Sequence, residues 1–368
     1  MKRMKTIMLI LALAMSAMIA GISSAQGPAE QPDLTIDAKV RAEVIEAIIK
    51  NLNQSYIFPE TAKKMETALR DRTSKKEYDQ ITSAKAFATK LTSDLQEVSH
   101  DKHLRVRYSH QPIPVREDRE PTPEDQARFL KEMRWRNFGF AKVEWLRGNI
   151  GYLEMMGFFD ARAGGETAAA AMNFLANSDA LIIDLRRNGG GDPAMVALVS
   201  SYLFDEPVHL NDLYFRPTDS THQWWTLPHV PGQKFGGKKD VYVLTSNRTF
   251  SAAEEFTYNL KCLKRATIIG ETTGGGAHPG GVERLNEHFG MFIPSGRAIN
   301  PITKTNWEGT GVKPDIEVPA SEALKMAQLI AARKLAEKNT DPENKEFYKN
   351  LVETMQKELD DLKKGQKP

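Results

Sequence analysis

The sequence predicts an α/β protein with an N-terminal helical bundle and charged C-terminal helices. Apolar runs, typical of strands buried on both faces, occur at residues 180–185 and 241–244, residues 265–270 are predicted to be another buried strand, and helical patterns lie between them. Amphipathic helices fill the first part of the chain after the leader, and from residue 321 the pattern is helical and rich in charge. These three observations divide the chain into a bundle, a larger α/β region and a helical tail.

Residues 1–25 are predicted to be a secretory signal peptide. Lys2, Arg3 and Lys5 precede the apolar run 7–20, and small residues at 23–25 suit cleavage. The run is shorter than the roughly 20 residues of a membrane span. No cysteine directly follows it, so lipoprotein anchoring is not expected. We therefore expect an exported protein, periplasmic or extracellular, with no stable membrane anchor.

The charge gives no support for nucleic-acid binding, and the cysteine content excludes an internal disulfide. The net charge of the chain is +2, and the leader carries three positive charges and no negative ones, which leaves −1 for the mature chain. A nearly neutral protein gives no electrostatic reason to expect nucleic acid as a partner. Cys262 is the only cysteine, so an internal disulfide is excluded, and its helical setting favours a small packed residue.

Residues 26–109 are predicted to form the helical bundle, which ends in a strand. The first helix repeats apolar residues four apart from Val40 to Leu52, and two further amphipathic helices follow. The period then changes to two at residues 104–108. His103 therefore lies at a helix-to-strand corner, where a side chain can point into a cleft. Residues 110–142, rich in Pro, Glu and Arg, are expected to be a linker or surface excursion.

The α/β core is predicted over residues 143–320. It opens with a hairpin around the turn 147–149, and the glycine-rich turn 186–191 ends the strand at 180–185. Residues 205–239, which include Trp224 and Trp225, are expected to form a long loop or insert that could wall a groove. The helical tail, 321–368, either packs back on the core or forms a homo-oligomer through one apolar stripe: Phe347, Leu351, Met355 and Leu359.

Ser251 is the candidate nucleophile. It follows the apolar run 241–244, at the point where a helical pattern begins. The N–H groups at a helix start lack internal acceptors and lie at the positive end of the helix dipole, so an oxyanion formed there is stabilised. Ser251-Ala-Ala-Glu254 is also a capping box, which is the commoner role for such a segment.

Two other motifs give weaker signals. The glycine-rich turn Asn188-Gly-Gly-Gly-Asp192 lacks the Lys-Ser/Thr pair of a phosphate-binding loop, so nucleotide binding is not expected. His100, Asp101 and His103 cluster at one corner, but no distant fourth ligand completes a metal site in the sequence. We therefore predict no metal site.

Several motifs resemble, in the same order, those of the tail-specific (C-terminal processing) serine peptidase family. They are Asp184-Leu-Arg-Arg-Asn-Gly-Gly-Gly191, Ser251-Ala-Ala-Glu254 and Arg265-Ala-Thr-Ile-Ile-Gly-Glu-Thr-Thr-Gly-Gly-Gly-Ala277. Upstream, Ser99-His-Asp-Lys-His-Leu-Arg105 resembles the N-terminal part of interphotoreceptor retinoid-binding protein repeats. The resemblance covers nearly the whole mature chain. It implies a crotonase-like core of ββα units, a peptide or unfolded protein substrate, and no metal or organic cofactor.

The resemblance also implies roles for particular residues. Ser251 is the nucleophile, and the N–H groups of Ala252 and Gly190 form the oxyanion hole, with Gly191 as the neighbouring candidate. The position that matches the lysine of the family's Ser–Lys dyad is Gly276, so that dyad is absent. The PDZ module of that branch is missing too, because residues 110–142 are too short for it.

A second branch, similar to tricorn core proteases, combines the serine with a histidine from the N-terminal side and a downstream glutamate. Matched to this chain, the base is His103 and the orienting carboxylate is Glu308, with His278 and Glu271 as runners-up. An imidazole is a competent base near neutral pH and needs a carboxylate to fix its tautomer. The expected function is an exported serine endopeptidase. The alternative is a non-catalytic binder of hydrophobic ligands or peptides on the same fold.

Overall fold

The computed structural model describes residues 31–115 and 122–365, so the predicted signal peptide lies outside the described residues. The helices are α1 (Ala38–Ser55), α2 (Pro59–Ser74), α3 (Ala84–Ser99), α4 (Pro123–Trp135), α5 (Ala161–Leu175), α6 (Pro193–Ser201), α7 (Ala252–Cys262), α8 (Ala323–Lys338) and α9 (Pro342–Gly365). The strands are β1 (Arg105–Tyr108), β2 (Phe140–Leu146), β3 (Ile150–Met155), β4 (Ala180–Asp184), β5 (His209–Phe215), β6 (Ser220–Trp225), β7 (Asp240–Thr245), β8 (Thr267–Gly270), β9 (Gly280–Arg284), β10 (Phe289–Pro294), β11 (Gly296–Ile299) and β12 (Ile316–Glu317).

The chain divides into two compact units. Of the described residues, the first unit contains those up to 129 together with 213–222 and 278–299, and the second contains 130–212, 223–277 and those from 300 onward. Within the described ranges, no helix has the length and apolarity needed to cross a membrane.

The first unit packs α1, α2 and α3 with an antiparallel sheet of order β1-β10-β9. Asp37 caps α1 by accepting the N–H of Val40, and Ser83 caps α3 by accepting the N–H of Ala86. These side chains set where the two helices begin, because they pair N–H groups that a helix start leaves without partners. The fully buried centre of the unit includes Ile48, Leu52, Met65, Leu91 and Phe289.

The second unit is built on a six-stranded sheet of order β12-β8-β7-β4-β3-β2. All neighbouring strands are parallel except β2, which pairs antiparallel with β3. Helices cover both faces of the sheet. Leu181 and Ile183 point into the core that contains α5, α6 and α7, whereas Ala180 and Ile182 point into the core that contains α8 and α9. Burial on both faces explains why these strands are continuous apolar runs.

The predicted α/β class, the N-terminal bundle and the C-terminal helices are confirmed. The apolar stripe of α9 packs back on the second unit: Leu351, Met355 and Leu359 are buried in its core, while Phe347 is half-exposed. Cys262 is partly buried, and burial raises the pKa of its thiol, as expected for a packed residue.

Two segments have more regular structure than the sequence indicated. The interval 205–239, expected to be a long loop, contains the strands β5 and β6. Their aromatic and alternating residues favour strands, and the surrounding prolines and glycines had outweighed that signal. The indole of Trp225 stacks on His209, with ring centroids 4.5 Å apart, and remains 46% exposed. Helix α4 lies within the range 110–142 that was expected to be a linker or surface excursion.

Candidate active site

Three turns in the second unit follow the carboxyl ends of neighbouring parallel strands. Strands β4, β7 and β8 lie side by side, and the turns 185–192, 246–251 and 271–277 follow them. Because parallel strands end at one edge of a sheet, the turns meet there. Backbone hydrogen bonds join them: Phe250 N–H donates to Asn188 O at 3.1 Å, and Gly274 N–H donates to Thr249 O at 2.9 Å.

Ser251 has an unusual backbone conformation at the start of α7. Its φ of 56° and ψ of −124° lie in a region that residues other than glycine seldom adopt. It is the N-cap residue of α7, so the N–H groups of the first helical turn lie next to it. A serine on a strained turn between a buried strand and a helix has the backbone arrangement of a nucleophile elbow.

Gly190 lies directly against Ser251. Its φ is 106°, and a Cβ atom placed on it would lie 2.7 Å from Cβ of Ser251 and 2.9 Å from N of Ala252. Only glycine fits this position, both for its backbone conformation and for the space available. The N–H of Gly190 donates to Oδ1 of Asn188 at 2.9 Å. The neighbouring Gly191 has a φ of 147°, so both glycines of this turn use conformations that favour glycine.

Glu254 fixes a second glycine-rich turn to the helix start. Its Oε2 accepts the N–H of Ser251 at 2.9 Å, as in the predicted capping box, and the N–H of Gly276 at 2.8 Å. Its Oε1 accepts the hydroxyl of Thr273 at 2.5 Å and the N–H of Gly275 at 2.6 Å. Burial raises the pKa of this carboxyl, and the four hydrogen bonds offset only part of that effect.

Glu308 lies on the turn after β11, in the second unit. Its Oε2 accepts the N–H of Ala277 at 2.5 Å. The adjacent Trp307 is buried, and its indole N–H donates to the carbonyl of Gly276 at 2.7 Å. These two residues hold the end of the glycine-rich turn, immediately before His278 in the chain.

Glu271, one of the runners-up for the orienting carboxylate, binds backbone groups on two other segments. Its Oε2 accepts the N–H of Asn247 at 3.2 Å, and its Oε1 accepts the N–H of Ala320 at 3.0 Å. Both oxygens therefore connect loops within the second unit.

The two candidate histidines belong to the first unit, where they flank one carboxylate. Nδ1 of His278 lies 2.8 Å from Oδ2 of Asp101, and the His278 ring makes an edge contact with Phe58. His103 donates its backbone N–H to Oδ1 of Asp101 at 3.0 Å. The imidazole of His103 stacks on Phe292 with an interplanar angle of 29°.

Burial dominates the ionisation of His103. It lowers the pKa of this imidazole to about 4, although the charge of Asp101 acts in the opposite direction. For Asp101, burial opposes ionisation, but the hydrogen bond and charge of His278 outweigh it, and the pKa of the carboxyl is lowered. At neutral pH the first unit thus holds a neutral His103 beside an ionised Asp101.

Within the second unit, the structure brings together Ser251, Ala252 and Gly190, and places Glu308 and Glu271 on the loops that follow β11 and β8. Sequence reasoning missed the partnership of Asp101 with His278, because the two residues are 177 positions apart. It recognised Glu254 as a capping residue but missed its three bonds to the glycine-rich turn. The sequence of a glycine-rich turn does not indicate which side chain accepts hydrogen bonds from its N–H groups.

A serine on a strained strand-to-helix turn at the edge of a parallel sheet is the arrangement typical of serine hydrolases of α/β type. Comparison with known proteins narrows this class. Residues 149–318 match the model of peptidase family S41, and residues 34–135 match the model of the N-terminal domain of this family in eukaryotic IRBP. The chain belongs to peptidase family S41 and is a serine-type peptidase.

Solved structures support the same fold. Mature CPAF is 12% identical with a TM-score of 0.54, over 82% of this chain and 99% of that chain. A lipoprotein from Streptococcus agalactiae is 17% identical with a TM-score of 0.52, over 85% of this chain and 100% of that chain. The two family models confirm the family predicted from the sequence motifs.

Proposed function

We propose that the protein is an exported serine endopeptidase that cleaves peptides or unfolded proteins, with Ser251 as its nucleophile. The observation that carries this proposal is the backbone of Ser251, at positive φ directly before α7 and against a glycine that no other residue can replace. An ordinary N-cap serine has extended backbone angles and involves no such strain. Strain retained at one residue is typical of a functional position.

In the proposed mechanism, Oγ of Ser251 attacks the carbonyl carbon of the scissile peptide bond while its proton passes to the imidazole of His103. The carbonyl oxygen becomes an oxyanion. The imidazolium then gives its proton to the leaving amine, which departs as the C–N bond breaks. Water then attacks the acyl-enzyme while its proton passes to His103, and the bond from the acyl carbon to Oγ of Ser251 breaks as the imidazolium returns that proton to Oγ, which releases the carboxylic acid product.

The oxyanion is proposed to bind backbone N–H groups of two turns. Ala252 supplies the first, because it opens α7, where N–H groups lack internal acceptors. Gly190 was expected to supply the second, but its N–H already donates to Asn188. That bond favours the neighbouring candidate Gly191 in the same turn. Glu308 is proposed, as the resemblance implies, to act as the carboxylate that orients His103.

The nucleophile can be tested with a fluorophosphonate probe, which phosphonylates activated serines. The mature protein is expected to be labelled, and labelling is expected to disappear in Ser251→Ala. A suitable control is Ser200→Ala, since Ser200 is a fully buried serine of α6 in the same unit and should leave labelling unchanged. Labelling of Ser251→Ala at the wild-type rate would refute the assignment. Folded wild-type protein that resists the probe but binds a hydrophobic ligand tightly would support the non-catalytic alternative.

Export rests on the basic and apolar pattern of residues 1–25. Full-length protein expressed with its leader in a bacterial host is expected to reach the exported fraction with Gln26 as its first residue. Mass spectrometry of the purified protein measures this directly. Recovery of protein that still begins at Met1, in the cytosolic fraction alone, would contradict the proposal.

A further inference from the structure

Asp101 is a buried carboxylate of the first unit whose charge has no lysine or arginine partner among the described residues. It is only 1% exposed. Its Oδ2 accepts from Nδ1 of His278 at 2.8 Å and from the hydroxyl of Tyr56 at 3.2 Å, and its Oδ1 accepts the N–H of His103 at 3.0 Å. A buried carboxylate is costly unless it is paired and hydrogen-bonded. Here the groups that compensate it are two histidines and one tyrosine.

Local geometry directs one oxygen of Asp101 toward His103. The residues 99–104 form a tight corner: His100 ends α3 at a φ of 57°, and Leu104 N–H donates to the carbonyl of Asp101 at 3.2 Å. The corner holds Nδ1 of His103 at 3.9 Å from Oδ1 of Asp101. This separation is too long for a hydrogen bond but close enough for strong attraction between opposite charges.

His278 fixes the other oxygen. Because Oδ2 of Asp101 is an acceptor, the nitrogen facing it, Nδ1 of His278, must carry a proton. With Oδ2 bound to His278 and Tyr56, rotation of the carboxyl group is blocked, and Oδ1 stays on the side of His103. Phe292, stacked on the ring of His103, limits the imidazole to one plane.

We propose that Asp101, held by His278, is the positioning residue that stabilises the imidazolium of His103 when Ser251 gives up its proton. The inference rests on the proposed function and adds a second carboxylate to the one expected at Glu308. Asp101 takes no proton in the step. The proton moves from Oγ of Ser251 to the ring of His103 as the bond from Oγ to the carbonyl carbon forms, and Asp101 stays ionised throughout.

The need for such a group follows from the burial of His103. A desolvated imidazole is a poor proton acceptor, since its cation loses the hydration that stabilises it in water. The other charges that act on His103 are those of His278 and Arg105, and both disfavour its cation. Asp101 is thus the group in the first unit that favours protonation of His103.

The test compares Asp101→Asn with Asp94→Asn. Asp94 is the matched control, because it is also a buried carboxylate of the first unit that accepts from a tyrosine hydroxyl. Asp101→Asn is expected to slow fluorophosphonate labelling by about 100-fold or more, within the range of general-base effects. It should also move the acidic limb of the pH–labelling profile to lower pH, since the imidazolium loses its counter-charge. Asp94→Asn should leave the midpoint of that limb unchanged.

Substitutions of His278 separate positioning from direct catalysis. His278→Asn places an amide N–H near the position of Nδ1 and is expected to keep labelling within about tenfold of wild type, whereas His278→Leu should resemble Asp101→Asn. The inference is overturned if folded Asp101→Asn labels at the wild-type rate with an unshifted profile, or if His278→Asn is as inert as Ser251→Ala, which would make His278 the base. Failure of the proposed function is a different result: wild-type protein would not label, or Ser251→Ala would.

Discussion

Replacement of Glu254 by alanine is expected to lower the free energy of unfolding by about 3–5 kcal/mol and to abolish labelling of Ser251. The change removes a fully buried carboxylate that accepts four hydrogen bonds, and it leaves the donors on Ser251, Thr273, Gly275 and Gly276 without their acceptor. Each buried donor left unsatisfied costs about 1–3 kcal/mol, and part of the total is recovered when the turn relaxes.

Activity should be lost as well, because the same carboxylate holds the N–H of Ser251 and so its backbone conformation. Glu254→Gln keeps the shape of the side chain and removes its charge, so it separates the effects of the two on stability and activity. The amide keeps one oxygen and turns an NH2 group toward two of the four donors, so an intermediate loss of stability is expected. Urea denaturation gives the stability, and the labelling rate gives the activity. Wild-type stability in Glu254→Ala would show that the network contributes little.

Stability is expected to fall as the pH rises between about 6.5 and 8, and Glu255→Gln should remove much of this dependence. Glu255 follows Glu254 in α7 and is buried, and burial raises its pKa from 4.5 to about 8. Between these two values the folded state holds a proton that the unfolded state has released. Each pH unit in that interval therefore costs about 1.4 kcal/mol of stability, on the order of 4–5 kcal/mol in all.

The chosen pH range and the comparison with Glu255→Gln separate the contribution of Glu255 to stability from those of other buried groups. His103, whose pKa burial lowers to about 4, contributes with the opposite sign below about 6.5, its unfolded value. Asp192 and Glu254, whose pKa values burial also raises, contribute with the same sign as Glu255. The measurement is therefore the difference in urea stability between wild type and Glu255→Gln at pH 6.5, 7.5 and 8.5. The Glu255→Gln variant should become more stable than the wild type as the pH rises. If the stabilities of the two proteins change with pH in parallel, Glu255 is not the group responsible.

Much of the fold could be predicted because its signals are local. Strands buried on both faces are marked by apolar runs, and the apolar residues of α1 to α3 recur at helical spacing. Ser251 follows an apolar run at the point where a helix begins. Strands β5 and β6 were missed because the prolines and glycines of the interval 205–239, most of which lie after β6, are typical of a loop. Local pattern does not distinguish a loop from two strands that such residues flank.

The candidate site was less predictable because its contacts join distant segments. The glycine turn 186–191 and Ser251 could be connected through family motifs, but the bond from Gly190 to Asn188 could not. Asp101 was considered only as a metal ligand, since nothing near it in sequence indicates His278 as its partner. Such pairings depend on how the chain folds, which residue spacing alone does not specify.

The clash that a side chain at Gly190 would cause has a consequence for how such proteins diverge. In the proposed mechanism, the second unit supplies the hydroxyl of Ser251, the carboxylate of Glu308 and otherwise backbone N–H groups. Every residue type except proline carries a backbone N–H group. The position of each N–H is therefore set by strand order and turn conformation, and depends little on which side chain is present. Most of the core can then be replaced as long as a few glycines, the serine and the glutamate remain. This arrangement allows chains to keep the same fold while their sequences are only 12–17% identical.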